Sequence, residues 1–306
     1  MPLREQTVAE ARVNISSFAK LFGPPEFVAH VDHLFIHGPT ADLPIVVYTP
    51  TGTGPFAVVV YFHSSGWVMG NVDISDTPSR ALANRVGCVV VSVNYQKAPE
   101  HKFPEPLNDA YAATRWVSEH ALELDIDADR LLVMGDGTGA NLAAATCLTA
   151  REAGLPHIAG QVLIYPAVLY GSTFASMSLD GHGLLIDADD MAWFWEQYLR
   201  VPADGQNPLA SPLLAASVAG LPSAFVATAE FDVVRDEGEA YAQRLSAEGT
   251  SVHLHRYVGM MHGFFGMSAV LDTAGELLDD IATWVSNDFG EFDDLWCGAS
   301  VHHRRT

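Results

Sequence analysis

Short apolar runs alternate along this chain with longer stretches of helical period. Runs rich in valine and isoleucine, such as Phe56 to Phe62 and Cys88 to Val93, fit strands covered on both faces, as in a mostly parallel sheet. The pattern predicts strands near residues 31–36, 44–48, 57–62, 88–94, 131–134, 161–165, 224–229 and 252–257. It predicts helices near 79–86, 105–121, 138–151, 188–199, 236–248 and 272–286, with Pro104 and Asp236 as start signals and Gly249 as a stop. Residues 1–22 read as one amphipathic helix. The stretch 170–215 interrupts the alternation, and the tail 288–306 shows no period. The expected fold class is α/β.

Composition narrows the picture without redirecting it. No linker or composition break divides the 306 residues, so one domain over 1–306 is expected. With 49% apolar residues the chain can bury a substantial core. Its apolar runs are too short to span a bilayer, and no charged-then-apolar leader opens it, which together lead to the expectation of a cytoplasmic protein. Three cysteines cannot build a disulfide framework. Cys88 and Cys147 fall in strand and helix patterns and read as reduced, packed thiols. A net charge of −21, with only three lysines, repels nucleic acid and anionic membranes. The partner expected is a small hydrophobic substrate or ligand, with a homodimer left open.

Candidate chemistry begins where Arg130-Leu131-Leu132-Val133-Met134-Gly135-Asp136-Gly137-Thr138-Gly139-Ala140-Asn141-Leu142 runs from an apolar strand through a glycine-rich turn into a small-residue helix. That is the strand–turn–helix of a G-x-S-x-G nucleophile elbow with Gly137 as its middle letter. Upstream, His63-Ser64-Ser65-Gly66-Trp67 follows one apolar strand and Asn94-Tyr95-Gln96-Lys97-Ala98-Pro99-Glu100-His101 ends another. Downstream come Ser211-Pro212-Leu213, then Glu230-Phe231-Asp232-Val233-Val234-Arg235-Asp236-Glu237-Gly238, and last Gly259-Met260-Met261-His262-Gly263-Phe264.

Six motifs in this order resemble the hormone-sensitive-lipase-like α/β-hydrolases, the bacterial family IV carboxylesterases, over roughly residues 30–287. The resemblance implies an eight-stranded α/β-hydrolase sheet with a helical cap made from about 1–30 and 170–215. It implies that His262 is the catalytic base, that Asp232 orients its ring, and that Gly137 occupies the nucleophile position. It implies an oxyanion hole from the backbone of Ser64, Ser65 and Thr138, with Ser64 and Ser65 standing where the family has glycines. His63, Gly66, Trp67, Met69, Asp136 and Phe264 are the expected pocket residues. Trp193, Phe194 and Trp195 could equally line an acyl pocket or pack within the cap.

Competing patterns carry less. Asp125-Ile126-Asp127-Ala128-Asp129 imitates a calcium loop, but Arg130 and Asp136 stand where glycine and glutamate are required. His253 and His255 share one face of a strand, and His302 and His303 lack a further ligand at suitable spacing. No metal or cofactor is expected, and no dinucleotide or P-loop fingerprint appears in context.

Function then turns on Gly137. Removing a triad nucleophile typically costs about a millionfold in rate. Three readings follow: an Asp232–His262 dyad performing non-covalent hydrolysis, elimination, dehydration or cyclisation on an activated ester, lactone or carbonyl compound; a non-catalytic binding protein on the same scaffold; or an ordinary carboxylesterase whose serine was exchanged for Gly137. One of the two loop hydroxyls, Ser64 or Ser65, could also enter the site beside His262.

Overall fold

In a computed structural model, residues 3–179, 181 and 184–290 are described. Eight strands form one sheet: β1 (His30–His37), β2 (Asp42–Thr49), β3 (Phe56–Phe62), β4 (Val89–Val93), β5 (Ile126–Asp136), β6 (Gly160–Ile164), β7 (Ser223–Phe231) and β8 (Val252–Met261). They lie in the order β1-β2-β4-β3-β5-β6-β7-β8. β2 runs antiparallel to both β1 and β4, and all other pairs are parallel. This is the α/β-hydrolase fold.

Strand alternation explains the two layers of core. Val58, Val60 and Phe62 of β3 join Val89, Val91, Leu131 and Val133 in one apolar cluster, while Ala57, Val59 and Tyr61 join Val90, Leu132 and Met134 in the other. The first side is covered by α3 (Glu105–Glu119), α4 (Thr138–Ala153) and α6 (Arg235–Ala247), the second by α2 (Asp76–Val86) and α7 (Asp272–Phe289). Because side chains alternate across the sheet, strands buried on both faces need apolar residues at every position.

The parallel strands bring their C-terminal ends to one edge. His63 follows β3, Gly137 follows β5, Asp232 follows β7 and His262 follows β8. Above that edge lie two segments in contact with each other: the N-terminal one, containing α1 (Val8–Ile15), and the one containing α5 (Ala188–Tyr198). The Arg4 guanidinium donates to Asp189 at 2.9 Å across their junction.

Some boundaries differ from those the sequence implies. The N-terminal stretch is not one helix, because Thr7 and Glu10 form a capping box that starts α1 anew between two 3-10 turns, Leu3–Glu5 and Ser16–Leu21. Asp236 does not cap α6, which begins at Arg235; its carboxylate accepts from the Ser176 amide at 2.8 Å and pairs with Arg235. β5 starts at Ile126, which pairs with Phe56 before an irregularity in register. The first two residues of the expected tail 288–306 finish α7, and residues 291–306 lie outside the described set. Cys88 and Cys147 are buried free thiols, whereas Cys297, His302 and His303 lie outside the described residues.

Candidate active site

The elbow turns at Gly137, with φ 53° and ψ −115°, as the residue before α4. Glycine adopts this conformation without strain. Two residues on, a Cβ at Gly139 would lie 1.9 Å from the Phe62 carbonyl oxygen. Glycine there lets the helix start pack against the end of β3.

Asp232 and His262 are joined directly. The Asp232 side chain is fully buried and its Oδ2 lies 2.8 Å from His262 Nδ1. Its other oxygen accepts from the Val234 amide at 3.0 Å. A carboxylate can only accept, so Nδ1 carries the proton and the neutral ring presents Nε2 as an acceptor. Nε2 faces the elbow: a Cβ built on Gly137 would lie 3.0 Å from it. The same point lies 2.6 Å from Ser64 Oγ. The tilted ring of Tyr165 packs against His262 with centroids 4.5 Å apart.

The loop after β3 has its amides largely committed. Ser64 N–H donates to Asp136 Oδ1 at 3.1 Å, so this amide is not the free oxyanion donor the sequence implies. Gly66 N–H and Trp67 N–H both donate to Thr138 Oγ1, at 2.9 and 3.3 Å. Ser65 N–H has no partner among the described residues, and Thr138 N–H is at the first turn of α4, where helical amides lack internal acceptors. Ser65 (φ 94°) and Trp67 (φ 59°) hold left-handed backbone without being glycine, a strain of order 1–3 kcal/mol each.

Asp136 is anchored by Tyr61 Oη at 2.7 Å and Tyr165 Oη at 3.3 Å. Burial pushes its carboxyl up, against the downward pull of the Tyr61 hydrogen bond. The His63 ring stacks on Tyr95 at 4.6 Å and its Nδ1 lies 2.7 Å from the Ser64 carbonyl oxygen. Burial first, then the nearby Lys97 charge, depresses its basicity. Lys97 itself is lowered to about 7, chiefly by burial. Tyr61 and Tyr165 were not legible as site residues: one reads as part of an apolar strand, and the other follows β6 with no motif.

A cavity of about 480 Å³ opens over this site. Phe18 and Phe22 wall it from the N-terminal segment, Met191 and Phe194 from α5, and Phe265 and Met267 from beyond His262. His63, Ser64, Ser65, Gly66, Met69, Asp136 and Thr138 also line it. Asp187 and Asp190 add acid to its wall, and among the described residues no lysine or arginine lines it. Trp67 and Phe264 do not face it. Trp67 is fully buried and stacks on Tyr198 with centroids 4.1 Å apart, while Phe264 packs between Tyr165 and Tyr257. Of the α5 aromatics, only Phe194 reaches the cavity. Its ring lies so close to Gly66 that a Cβ there would approach within 1.9 Å.

Among the described residues, no group of three or more His, Cys, Asp or Glu is placed to hold a metal, and no helix is long and apolar enough to cross a membrane. Asp127, in the calcium-like stretch, instead binds the Asp129 amide and Arg130.

Known proteins share this fold. The family model described as alpha/beta hydrolase fold matches residues 59–266. Carboxylic ester hydrolase LipN of Mycobacterium tuberculosis is 38% identical over 270 residues, covering 86% of this chain and 72% of that protein. An arylesterase of Saccharolobus solfataricus is 38% identical over 245 residues, covering 78% and 80%. Among solved structures, ester-hydrolase EH1AB1 from the metagenome of Lake Arreo, complexed with a derivative of bipyridine phosphonate, superposes with a TM-score of 0.91 at 36% identity, covering 95% of this chain and 93% of that one. An esterase of Pyrobaculum calidifontis does so with a TM-score of 0.88 at 38% identity, covering 92% and 93%. The matched span and the superpositions agree, and the chain belongs to the alpha/beta hydrolase fold family, in its hormone-sensitive-lipase-like carboxylesterase branch.

Proposed function

We propose that this chain is a hydrolase of small, hydrophobic, activated carboxylic esters or lactones, in which the Asp232–His262 dyad drives non-covalent general acid/base chemistry. The observation that carries this reading is the oriented imidazole, with Nδ1 2.8 Å from a buried carboxylate and Nε2 3.0 Å from the Cβ point of Gly137. His262 takes the proton of an attacking water and returns it to the leaving oxygen, while Asp232 stabilises the imidazolium between those events.

Developing charge on the carbonyl oxygen meets the amides of Ser65 and Thr138. It also meets the Thr138 hydroxyl, whose oxygen already accepts two amides and so directs its own hydrogen elsewhere. The same proton relay would serve elimination, dehydration or cyclisation of an activated carbonyl compound.

The relatives' names supply the substrate class: ester hydrolases and an arylesterase. One observation favours a second reading, a binding protein without turnover: Thr138 Oγ1 occupies two loop amides that an oxyanion could otherwise use. The reading as an ordinary esterase with an exchanged serine requires Ser64 Oγ, 2.6 Å from the Cβ position of such a serine, to turn aside.

The test is turnover of p-nitrophenyl acetate and γ-butyrolactone by the unmodified chain and by His262→Ala. A hydrolase loses turnover in the variant with binding nearly unchanged, since the imidazole acts in the transition state. Turnover equal in both proteins would overturn the reading.

A further inference from the structure

Two polar atoms of the site converge on one point and have no hydrogen-bond partner among the described residues: Ser64 Oγ, 2.6 Å from it, and His262 Nε2, 3.0 Å from it. Each belongs to a residue held rigidly. The Ser64 amide is pinned to Asp136 and its carbonyl oxygen lies 2.7 Å from His63 Nδ1, while His262 is pinned through Nδ1 to Asp232. Both residues line the cavity.

We infer that Ser64 is a catalytic residue whose hydroxyl, together with His262 Nε2, holds the attacking water over the Gly137 elbow. The inference rests on the hydrolase reading above. A water just outside the elbow gives one hydrogen to Nε2 and the other to Ser64 Oγ. One of its two lone pairs then faces the cavity, where the ester carbonyl carbon lies. As the new C–O bond forms, the first proton passes to Nε2 and the carbonyl π pair moves onto the oxygen facing Ser65 and Thr138. When that pair returns, the ester C–O bond breaks and the leaving oxygen takes the proton from His262. Acid and alcohol result, and Ser64 ends unchanged.

Direct attack by Ser64 is the weaker assignment, because Ser64 Oγ and Nε2 share no hydrogen bond through which the hydroxyl proton could leave. A glycine at position 64, the residue the family pattern has there, offers no such second anchor. Fixing a nucleophile at two points removes much of its orientational freedom, and a misplacement of about 1 Å costs about a hundredfold in rate.

The experiment compares the unmodified chain, Ser64→Ala and His262→Ala on p-nitrophenyl acetate, with intact-protein mass after acid quench and after incubation with a fluorophosphonate. Ser64→Ala should lower kcat about a hundredfold with KM nearly unchanged, and no adduct should appear at Ser64. Ser64→Ala with unmodified kcat, alongside an inactive His262→Ala, overturns the Ser64 role and leaves the dyad intact. An acyl or phosphonyl adduct at Ser64 also overturns it, making Ser64 the nucleophile. Full activity in His262→Ala would refute the hydrolase reading itself. A turnover-independent check is a crystal structure of the unmodified chain: a water bonded to both Ser64 Oγ and His262 Nε2 supports the role, and none there refutes it.

Discussion

The Thr138 hydroxyl accepts the Gly66 amide at 2.9 Å and so fastens the first turn of the elbow helix to the loop after β3. One oxygen serves two loop amides across about seventy residues of sequence. Removing it in Thr138→Ala strands two buried donors, and such orphans cost about 1–3 kcal/mol each at most. The midpoint of urea unfolding should fall accordingly; an unchanged midpoint would show that the loop finds other acceptors.

Restoring a serine at the elbow is expected to be unproductive alone. Gly137→Ser places a side chain at φ 53° and brings its Cβ to 2.6 Å from Ser64 Oγ. The backbone term costs about 1–3 kcal/mol of stability. Fluorophosphonate labelling of the introduced serine should be slow in the single variant and much faster in Ser64→Gly/Gly137→Ser, a coupling that a double-mutant cycle measures. Equal labelling rates would mean that Ser64 gives way freely.

Asp232→Asn should preserve the fold and lose the orientation. The amide can present its nitrogen to His262 Nδ1 and stabilise the other tautomer, so hydrolysis should drop by up to about 10⁴-fold. Thermal unfolding and kcat measured on the same sample separate this from misfolding. A loss below tenfold would show that the ring is held chiefly by its packing on Tyr165.

Glu237 gives a pH-dependent signature. It is buried, raised to about 8 first of all by burial, and accepts the Val168 and Leu169 amides at 2.8 and 3.2 Å. The folded state therefore binds a proton that the unfolded state, with its carboxyl at the ordinary 4.5, has released. Stability from this group is fully present below about 4.5 and is lost as pH rises to about 8. Glu237→Gln should flatten the stability profile across that window. A profile unchanged by the substitution would contradict the shift.

How far the sequence reveals this site depends on the range of each contact. The elbow is readable because its strand-to-helix turn holds residue 137 at φ 53°, a rule of local backbone conformation that writes itself as glycine. The meeting of Asp232 and His262 follows from strand order, since each closes a neighbouring strand. Contacts made by the segments above the sheet are different. Trp67 turns into the core because Tyr198 offers a face to stack on, and Phe194 takes the cavity wall instead. Neither outcome is encoded near the residue concerned. The Thr138 hydroxyl likewise looks like an ordinary helix-start side chain until β3 and β5 are seen side by side.

The acid-lined, lysine- and arginine-free cavity has a consequence for what leaves it. In the hydrolysis proposed above, a neutral ester would enter without any counterion to seek. Once cleaved, its acid half becomes an anion in a chamber lined by Asp136, Asp187 and Asp190, within a chain of net charge −21. No guanidinium or ammonium on the described wall detains it, and the acidic wall raises its energy. Under that proposal, cleavage would turn a guest that fits into one that the acidic wall repels, and the reaction would clear its own chamber.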